Sequence, residues 1–187
     1  DLVRWYLGAH LDSAPEVRAR LKRRFGLAEE LARTGMGSAL FPRPDDPPAP
    51  MPEGLAETPV TIVLPVYNAF DLLQEALARL VAHTDLPWHL VLVEDASPDD
   101  RVRPWLRDWA AARNAEVRHA GAPDRVSLLE NDANLGFIRS VNRAFAVAIA
   151  RGHHVVLLNS DALVPAGWAG RLIRPLLLHD GVASVTP

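Results

Sequence analysis

Four short apolar runs, separated by stretches with helical spacing, constrain the fold of this chain more than any other feature. They are Val60–Leu64, Trp88–Val93, Val126–Leu129 and His154–Leu158. The first is rich in β-branched residues and lacks polar alternation, which is typical of a strand buried on both faces. Between the third and fourth runs, residues from about Gly136 to Arg151 have helical spacing. This alternation predicts right-handed βαβ units, and therefore an α/β fold with a mainly parallel, doubly wound sheet.

The sequence also indicates where helices begin and where the last elements lie. Asp71 and Ser97 are interpreted as caps of the helices that follow the first and second strands. A further helix is predicted from Trp168 to His179, and a last strand from Val182 to Val185. The helix after Asp71 carries a group of apolar residues predicted to share one side, namely Leu72, Leu73, Ala76, Leu77 and Leu80.

The first 59 residues differ in composition from the rest of the chain. Residues 42–59 hold seven of the sixteen prolines and predict a semi-extended linker. Before it, residues 1–41 predict a helical extension, in which Ser13 caps a helix with Pro15 in its first turn. Basic residues flank the apolar stripe of that helix, so contact with an anionic membrane is an alternative to packing on the domain. Residues 60–187 are predicted to form the main domain.

Composition excludes several classes of protein. The 187 residues are 49% apolar and 23% charged, as in ordinary globular proteins. The net charge of −3 gives no basic footprint for nucleic acid, and the lack of cysteine excludes thiolate catalysis and zinc–cysteine sites. No apolar run approaches the ~20 residues of a membrane-spanning helix. The chain starts at Asp1 without a hydrophobic leader, so we expect a segment boundary there. We also expect a cytoplasmic protein, with the inner surface of the membrane as the alternative location.

Polar residues follow each predicted strand, and the carboxyl ends of parallel strands meet at one edge of the sheet. Glu94 and Asp95 directly follow the second strand, where a carboxylate is costly unless something pairs with it. Asp161 occupies the same position after the fourth strand. Two acidic strand ends at one edge could hold a divalent metal, or one could bind metal while the other accepts a hydrogen bond from a nucleobase.

The familiar phosphate-binding loops are missing. No G-x-G-x-x-G follows a strand and no G-x-x-x-x-G-K-[ST] occurs, which excludes the Rossmann dinucleotide and P-loop classes. There is no G-x-S-x-G nucleophile elbow. A phosphoreceiver is also excluded. Proteins of that class have an acid pair at the first strand and a lysine near the fifth strand, whereas the single lysine of this chain is Lys22.

The strand ends resemble a known family. The matching segments are Thr61–Asn68, Val93–Ser97, Asn134–Phe137 with Asn142 beyond it, and Leu158–Ala162 followed by Pro165–Trp168. In this order and spacing, over residues 60–187, they resemble the family 2 glycosyltransferases, the nucleotide-diphospho-sugar transferases with the Rossmann-like GT-A fold. The resemblance implies a metal-assisted, inverting transfer of sugar to a glycan, lipid or protein acceptor.

The resemblance also implies roles for individual residues. Tyr67 would lie against the base or ribose, and Asp95 would accept from the base imide N–H, favouring uridine or thymidine donors. Asp161 would bind Mn²⁺ or Mg²⁺ that bridges the diphosphate. The nucleotide-binding residues implied in this way are Pro65, Val66, Tyr67, Asn68, Glu94, Asp95, Asn134, Gly136, Asn142, Ser160 and Asp161.

Two residues depart from the family pattern. Glu94 stands where an aspartate is usual, and Asn159 stands for the first acid of the D-x-D motif. The family takes its general base from the acceptor-binding half, which we expect to begin near Val182 and to continue past Pro187, so no catalytic base is assigned. Two alternatives remain open. One is a nucleotidyltransferase, although this chain lacks the Gly-rich, basic loop that proteins of that class have after the first strand. The other is a non-catalytic nucleotide-binding module.

Overall fold

The computed structural model describes residues 52–186. The predicted helical extension over residues 1–41 and most of the predicted linker lie outside this range. In chain order the elements are a 3-10 helix (Leu55–Glu57), β1 (Val60–Val66), α1 (Phe70–His83), β2 (Trp88–Glu94), α2 (Val102–His119), β3 (Val126–Glu130), α3 (Phe137–Ile149), β4 (His154–Leu157) and α4 (Trp168–Leu178).

The four strands form one parallel sheet in the order β3-β2-β1-β4. The chain moves outward from β1 to β2 and β3, and then returns past β1 to place β4 on its other side. The strand order therefore reverses between β1 and β4, which is where ligands bind in open α/β sheets. The predicted α/β class, with a mainly parallel, Rossmann-like sheet of the GT-A type, is confirmed.

The two central strands, β1 and β2, are buried because helices cover both faces of the sheet there. Val63, Val91 and Val93 form a core cluster with Ala144 and Ala148 of α3, and all five are inaccessible to solvent. The right-handed crossovers place α1 and α2 on the opposite face, because they connect strands in the reverse direction along the sheet. This burial on both faces explains why β1 and β2 are continuous apolar runs instead of alternating ones.

β1 is longer than the sequence predicted, because it continues through Pro65 to Val66. Proline is rare inside a central strand, since it cannot donate a hydrogen bond to a neighbour. The Val63 carbonyl accepts from Leu158 on the β4 side, and the Val66 carbonyl accepts from Asp95 on the β2 side. Because alternate residues face alternate neighbours, the missing N–H of Pro65 faces the β4 side, where pairing has already ended at Val63.

Three expectations about the ends of elements were wrong. Helix α1 begins at Phe70 after Ala69, so Asp71 lies in its first turn and does not cap it. Helix α2 begins only at Val102, and Ser97 contacts the loop after β1 instead. Residues 182–186 form no strand, and no described strand pairs with them.

Residues 54–171 form one compact unit, and residues 172–186 fall in a second one. The first unit contains the whole sheet and all residues discussed below. Within residues 52–186, no helix is both long enough and apolar enough to cross a membrane.

Candidate functional site

A cleft of about 450 Å³ lies at the carboxyl ends of β1 and β4, where the strand order reverses. Its volume falls in the range of small-molecule sites. It is built from the loops after β1 and β4, the end of β2 and the start of α3. The residues that line it are Pro65, Val66, Tyr67, Ala69, Leu72, Asp95, Asn134, Gly136, Phe137, Asn159, Ser160 and Asp161.

The loop after β1 forms one wall of the cleft in an unusual backbone conformation. Asn68 and Ala69 both have positive φ, at 59° and 55°. The Asn68 amide donates to Ser97 Oγ over 2.9 Å, and Asn68 Oδ1 accepts from the Asp99 amide over 3.2 Å. These contacts hold Asn68 against the loop after β2, and Asn68 does not line the cleft, although it was expected among the nucleotide-binding residues. Tyr67 does line the cleft and is 48% exposed.

Glu94 also has a structural role where a nucleotide contact was expected. It is fully buried, and its Oε1 accepts from the Ser97 amide over 2.6 Å. Its Oε2 accepts from Arg103 Nε over 2.7 Å, so the buried charge is paired. The structure therefore places Glu94 beneath the cleft, where it holds the loop that in turn holds Asn68.

Asp95 lines the cleft, but its own chain occupies its carboxylate. Oδ1 accepts from the Asn131 side-chain amide over 2.7 Å and from the Leu135 amide over 2.8 Å. Oδ2 accepts from the Gly136 amide over 2.9 Å. Burial raises the pKa of Asp95, but the hydrogen bonds, with that of Ser140 among them, outweigh it and hold the pKa below its ordinary value. This geometry departs from the expected contact with a base imide.

The third wall is the segment that leads into α3. Gly136, at φ 78° and ψ 163°, adopts a conformation that residues with a side chain avoid. Its amide also donates to Asn134 Oδ1 over 2.8 Å, and both residues line the cleft. Asn142 is exposed further along α3 and does not line the cleft, so the structure does not bring it to the predicted site.

The loop after β4 completes the cleft with Asn159, Ser160 and Asp161. Asn159 and Asp161 are exposed, so their polar groups are available to a ligand. Across residues 52–186, no three His, Asp or Glu side chains are close enough together to hold a metal ion. Asp161 is the exposed carboxylate among the residues that line the cleft.

Sequence reasoning missed three apolar residues of the lining. Leu72 was expected on the buried side of α1, yet it is 49% exposed at the cleft. Phe137 is 53% exposed there, and Ala69 follows Asn68 in the left-handed loop. Periodicity separates apolar from polar faces but cannot separate a core from the wall of a cleft, so only the position of Phe137 beside a strand-end glycine could have indicated it.

The fold and the cleft define the class of this chain. It is a parallel α/β domain with a cleft at the point where the strand order reverses. The family model "Glycosyl transferase family 2" matches residues 61–186. The chain therefore belongs to glycosyl transferase family 2.

Individual proteins give more distant likenesses. The uncharacterized protein y4gI of Sinorhizobium fredii (strain NBRC 101917 / NGR234) is 32% identical over 106 residues, which is 56% of this chain and 10% of that protein. This chain thus spans about a tenth of the curated relative's length.

Two solved structures give further likenesses. The mannosyltransferase PcManGT from Pyrobaculum calidifontis, solved with GDP-Man and Mn²⁺, superposes with a TM-score of 0.51 and 24% identity, covering 83% of this chain and 43% of that one. This likeness concerns the fold. S. aureus TarS 1–349, solved with UDP, has a TM-score of 0.39 and 20% identity over 56% of this chain and 28% of that one, too low to support an argument.

Proposed function

We propose that this chain binds the nucleotide diphospho-sugar donor of a glycosyl transfer in the cleft between the ends of β1 and β4. One observation carries the proposal: the exposed Asp161 carboxylate and the exposed Tyr67 ring line the same cleft, at the position where parallel sheets bind ligands. A nucleoside diphosphate has an aromatic base and a polyanionic diphosphate. A ring on one side and a carboxylate for a divalent cation on the other suit these two parts.

The proposed roles follow the lining of the cleft. Tyr67 stacks on the base or ribose, beside the backbone of Pro65 and Val66. Asn134, the Gly136 backbone and Ser160 contact the sugar and phosphates. The transfer is proposed to be inverting and to use a glycan, lipid or protein acceptor, and no residue is assigned as its general base.

The oxygen atoms of the cleft suit a divalent metal, because hard cations such as Mg²⁺ and Mn²⁺ prefer oxygen ligands. Mg²⁺ is commonly held by one or two carboxylates together with substrate phosphates. Asp161 supplies one exposed carboxylate at the cleft, so Asp161 is the residue proposed to hold Mn²⁺ or Mg²⁺. Such an ion would neutralise the charge that develops on the diphosphate leaving group.

Calorimetric titration with UDP, dTDP and GDP in the presence of Mn²⁺ tests the proposal. All three are compared because the chain itself already engages Asp95, the residue expected to select the base. We expect saturable binding that Tyr67→Ala weakens about tenfold or more, since stacking on an aromatic ring contributes about 1–3 kcal/mol per base. Val155→Ala is a matched control, because Val155 is 40% exposed but does not line the cleft. Equal losses in the two variants, or no binding at all, would contradict the proposal.

A non-catalytic nucleotide-binding module is the second candidate, and Asn159 favours it because an amide stands where the family has its first D-x-D acid. Release of sugar from a bound UDP-sugar, measured on a chain that extends past Pro187 through the expected acceptor-binding half, separates the candidates. A module would bind the donor without consuming it.

We also propose the division into residues 1–41, 42–59 and 60–187. Deletion of residues 1–40 tests it. A lower melting temperature supports packing of the extension on the domain, whereas unchanged stability with loss of binding to anionic vesicles supports the membrane alternative.

A further inference from the structure

The Asp95 carboxylate lies at the edge of the cleft and accepts hydrogen bonds from the segment between β3 and α3. A carboxylate offers about four acceptor positions. The amides of Leu135 and Gly136 and the side chain of Asn131 take three of them, at 2.7–2.9 Å. Asp95 is only 4% exposed, so little of the carboxylate is left for a ligand.

These contacts act on the wall of the cleft through the backbone. Leu135 and Gly136 lie between Asn134 and Phe137, and both of these neighbours line the cleft. The Gly136 backbone, at φ 78° and ψ 163°, is outside the conformations that hold a chain in a regular element. Its N–H is shared between Asp95 Oδ2 and Asn134 Oδ1, and these two acceptors fix the direction in which the chain enters α3.

Asp95 is itself firmly placed. Its amide donates to the Val66 carbonyl over 3.0 Å, which joins it to the end of β1. Behind it, Asn131 is 2% exposed and also donates to Ser140 Oγ over 2.9 Å. Arg143 Nη1 donates to Asn131 Oδ1 from the outside. Asp95 thus links the wall formed by the end of β1 to the wall at the start of α3.

We propose that Asp95 is a positioning residue, whose carboxylate fixes the Asn134–Phe137 wall and thereby sets the affinity of the cleft for nucleoside diphosphates without selecting the base. This inference rests on the proposed function, because it takes a nucleoside diphosphate as the occupant of the cleft. The alternative role, in which Asp95 reads a base imide, makes a different prediction. Uracil and thymine have an N–H donor at N3, whereas N3 of cytosine is an acceptor, so loss of a base-reading carboxylate changes the preference between UDP or dTDP and CDP.

Asp95→Asn separates the two roles. The amide keeps one acceptor oxygen but puts an NH₂ group in the other position, so a backbone N–H of Leu135 or Gly136 faces a donor. We expect faster hydrogen exchange of the Leu135 and Gly136 amides in the unliganded chain. We also expect the affinities for UDP, dTDP and CDP, each titrated with Mn²⁺, to fall by the same factor of about ten.

Asp85→Asn is the matched control, because Asp85 Oδ1 also accepts from a backbone amide, that of Gly170 over 3.0 Å, and does not line the cleft. It should change neither the exchange of the Leu135 and Gly136 amides nor nucleotide affinity. Ser140→Ala removes only the hydroxyl beside Asn131 and Asp95, and it should give the same two effects at smaller size if Asp95→Asn does not fold.

The outcomes are distinct. Unchanged exchange at Leu135 and Gly136 in both variants would overturn the inference, and so would a loss of affinity confined to UDP and dTDP. Absence of nucleotide binding in the unmodified chain would overturn the proposed function and the ligand part of this inference together. A uniform loss of affinity with faster exchange supports the positioning role.

Discussion

Nε of Arg103 donates to Oε2 of Glu94 over 2.7 Å, and this places a cation from α2 against a carboxylate that is fully buried at the end of β2. Removing the partner of a buried charge is costly because the charge that remains is neither hydrated nor paired. Arg103→Leu is therefore expected to lower the free energy of unfolding by about 3 kcal/mol, as measured by urea denaturation.

Arg79→Leu is the control for this prediction. Arg79 pairs with Glu75 on the exposed surface of α1, with both side chains more than 40% exposed. Such pairs contribute about 0.5 kcal/mol or less. A similar loss of stability in both variants would show that burial of Glu94 does not determine the effect.

Stability should fall as the pH is lowered from about 6.5 to 4 because of His89. Burial lowers the pKa of His89 to about 4, and the nearby Arg151 acts in the same direction. In this window the unfolded chain takes up a proton that the folded chain does not, so acid favours unfolding, by up to about 3 kcal/mol. His89→Asn should flatten the profile between pH 4 and 6.5, whereas His119→Asn, at an exposed position, should leave it unchanged.

Nucleotide binding should depend on Mn²⁺ through Asp161. UDP is expected to bind at least about tenfold more tightly with Mn²⁺ present, and Asp161→Ala should abolish this gain because the metal loses its protein carboxylate. Asp132→Ala is the control, since Asp132 is an exposed acid at another strand end that does not line the cleft. Calorimetry with and without Mn²⁺ measures both, and an unchanged metal effect in Asp161→Ala would refute the assignment.

Ala96 has a φ of 53°, which is unfavourable for a residue with a side chain. Ala96→Gly should therefore raise the free energy of unfolding by about 0.5 kcal/mol, the relief of strain being partly offset by the greater freedom of glycine in the unfolded chain. Ala111→Gly, on the exposed face of α2, should lower it by about 0.5–1 kcal/mol. Thermal denaturation of the two variants should show shifts of opposite sign.

The sequence allowed the sheet and most of the cleft to be predicted, because local signals fix both. Four apolar runs marked the strands, and the topology of parallel sheets brought Tyr67, Asn134 and Asp161 to one edge. The uses of individual polar groups were not predictable. The amide that occupies Asp95 Oδ2 lies 41 residues away in the chain, and the hydroxyl that holds the Asn68 amide lies 29 away. The spacing of residues along the sequence does not predict hydrogen bonds between groups so far apart in the chain.

The proline ring of Pro65 removes a hydrogen-bond donor at the point where β1 and β4 separate. Pairing between these strands ends at Val63, and the next position of β1 that faces β4 has no hydrogen to offer. A longer β4 would receive no hydrogen bond from residue 65 of β1, whatever residues replaced Asn159 or Asp161. Further pairing between β1 and β4 would therefore lack a hydrogen bond at the position where the cleft begins.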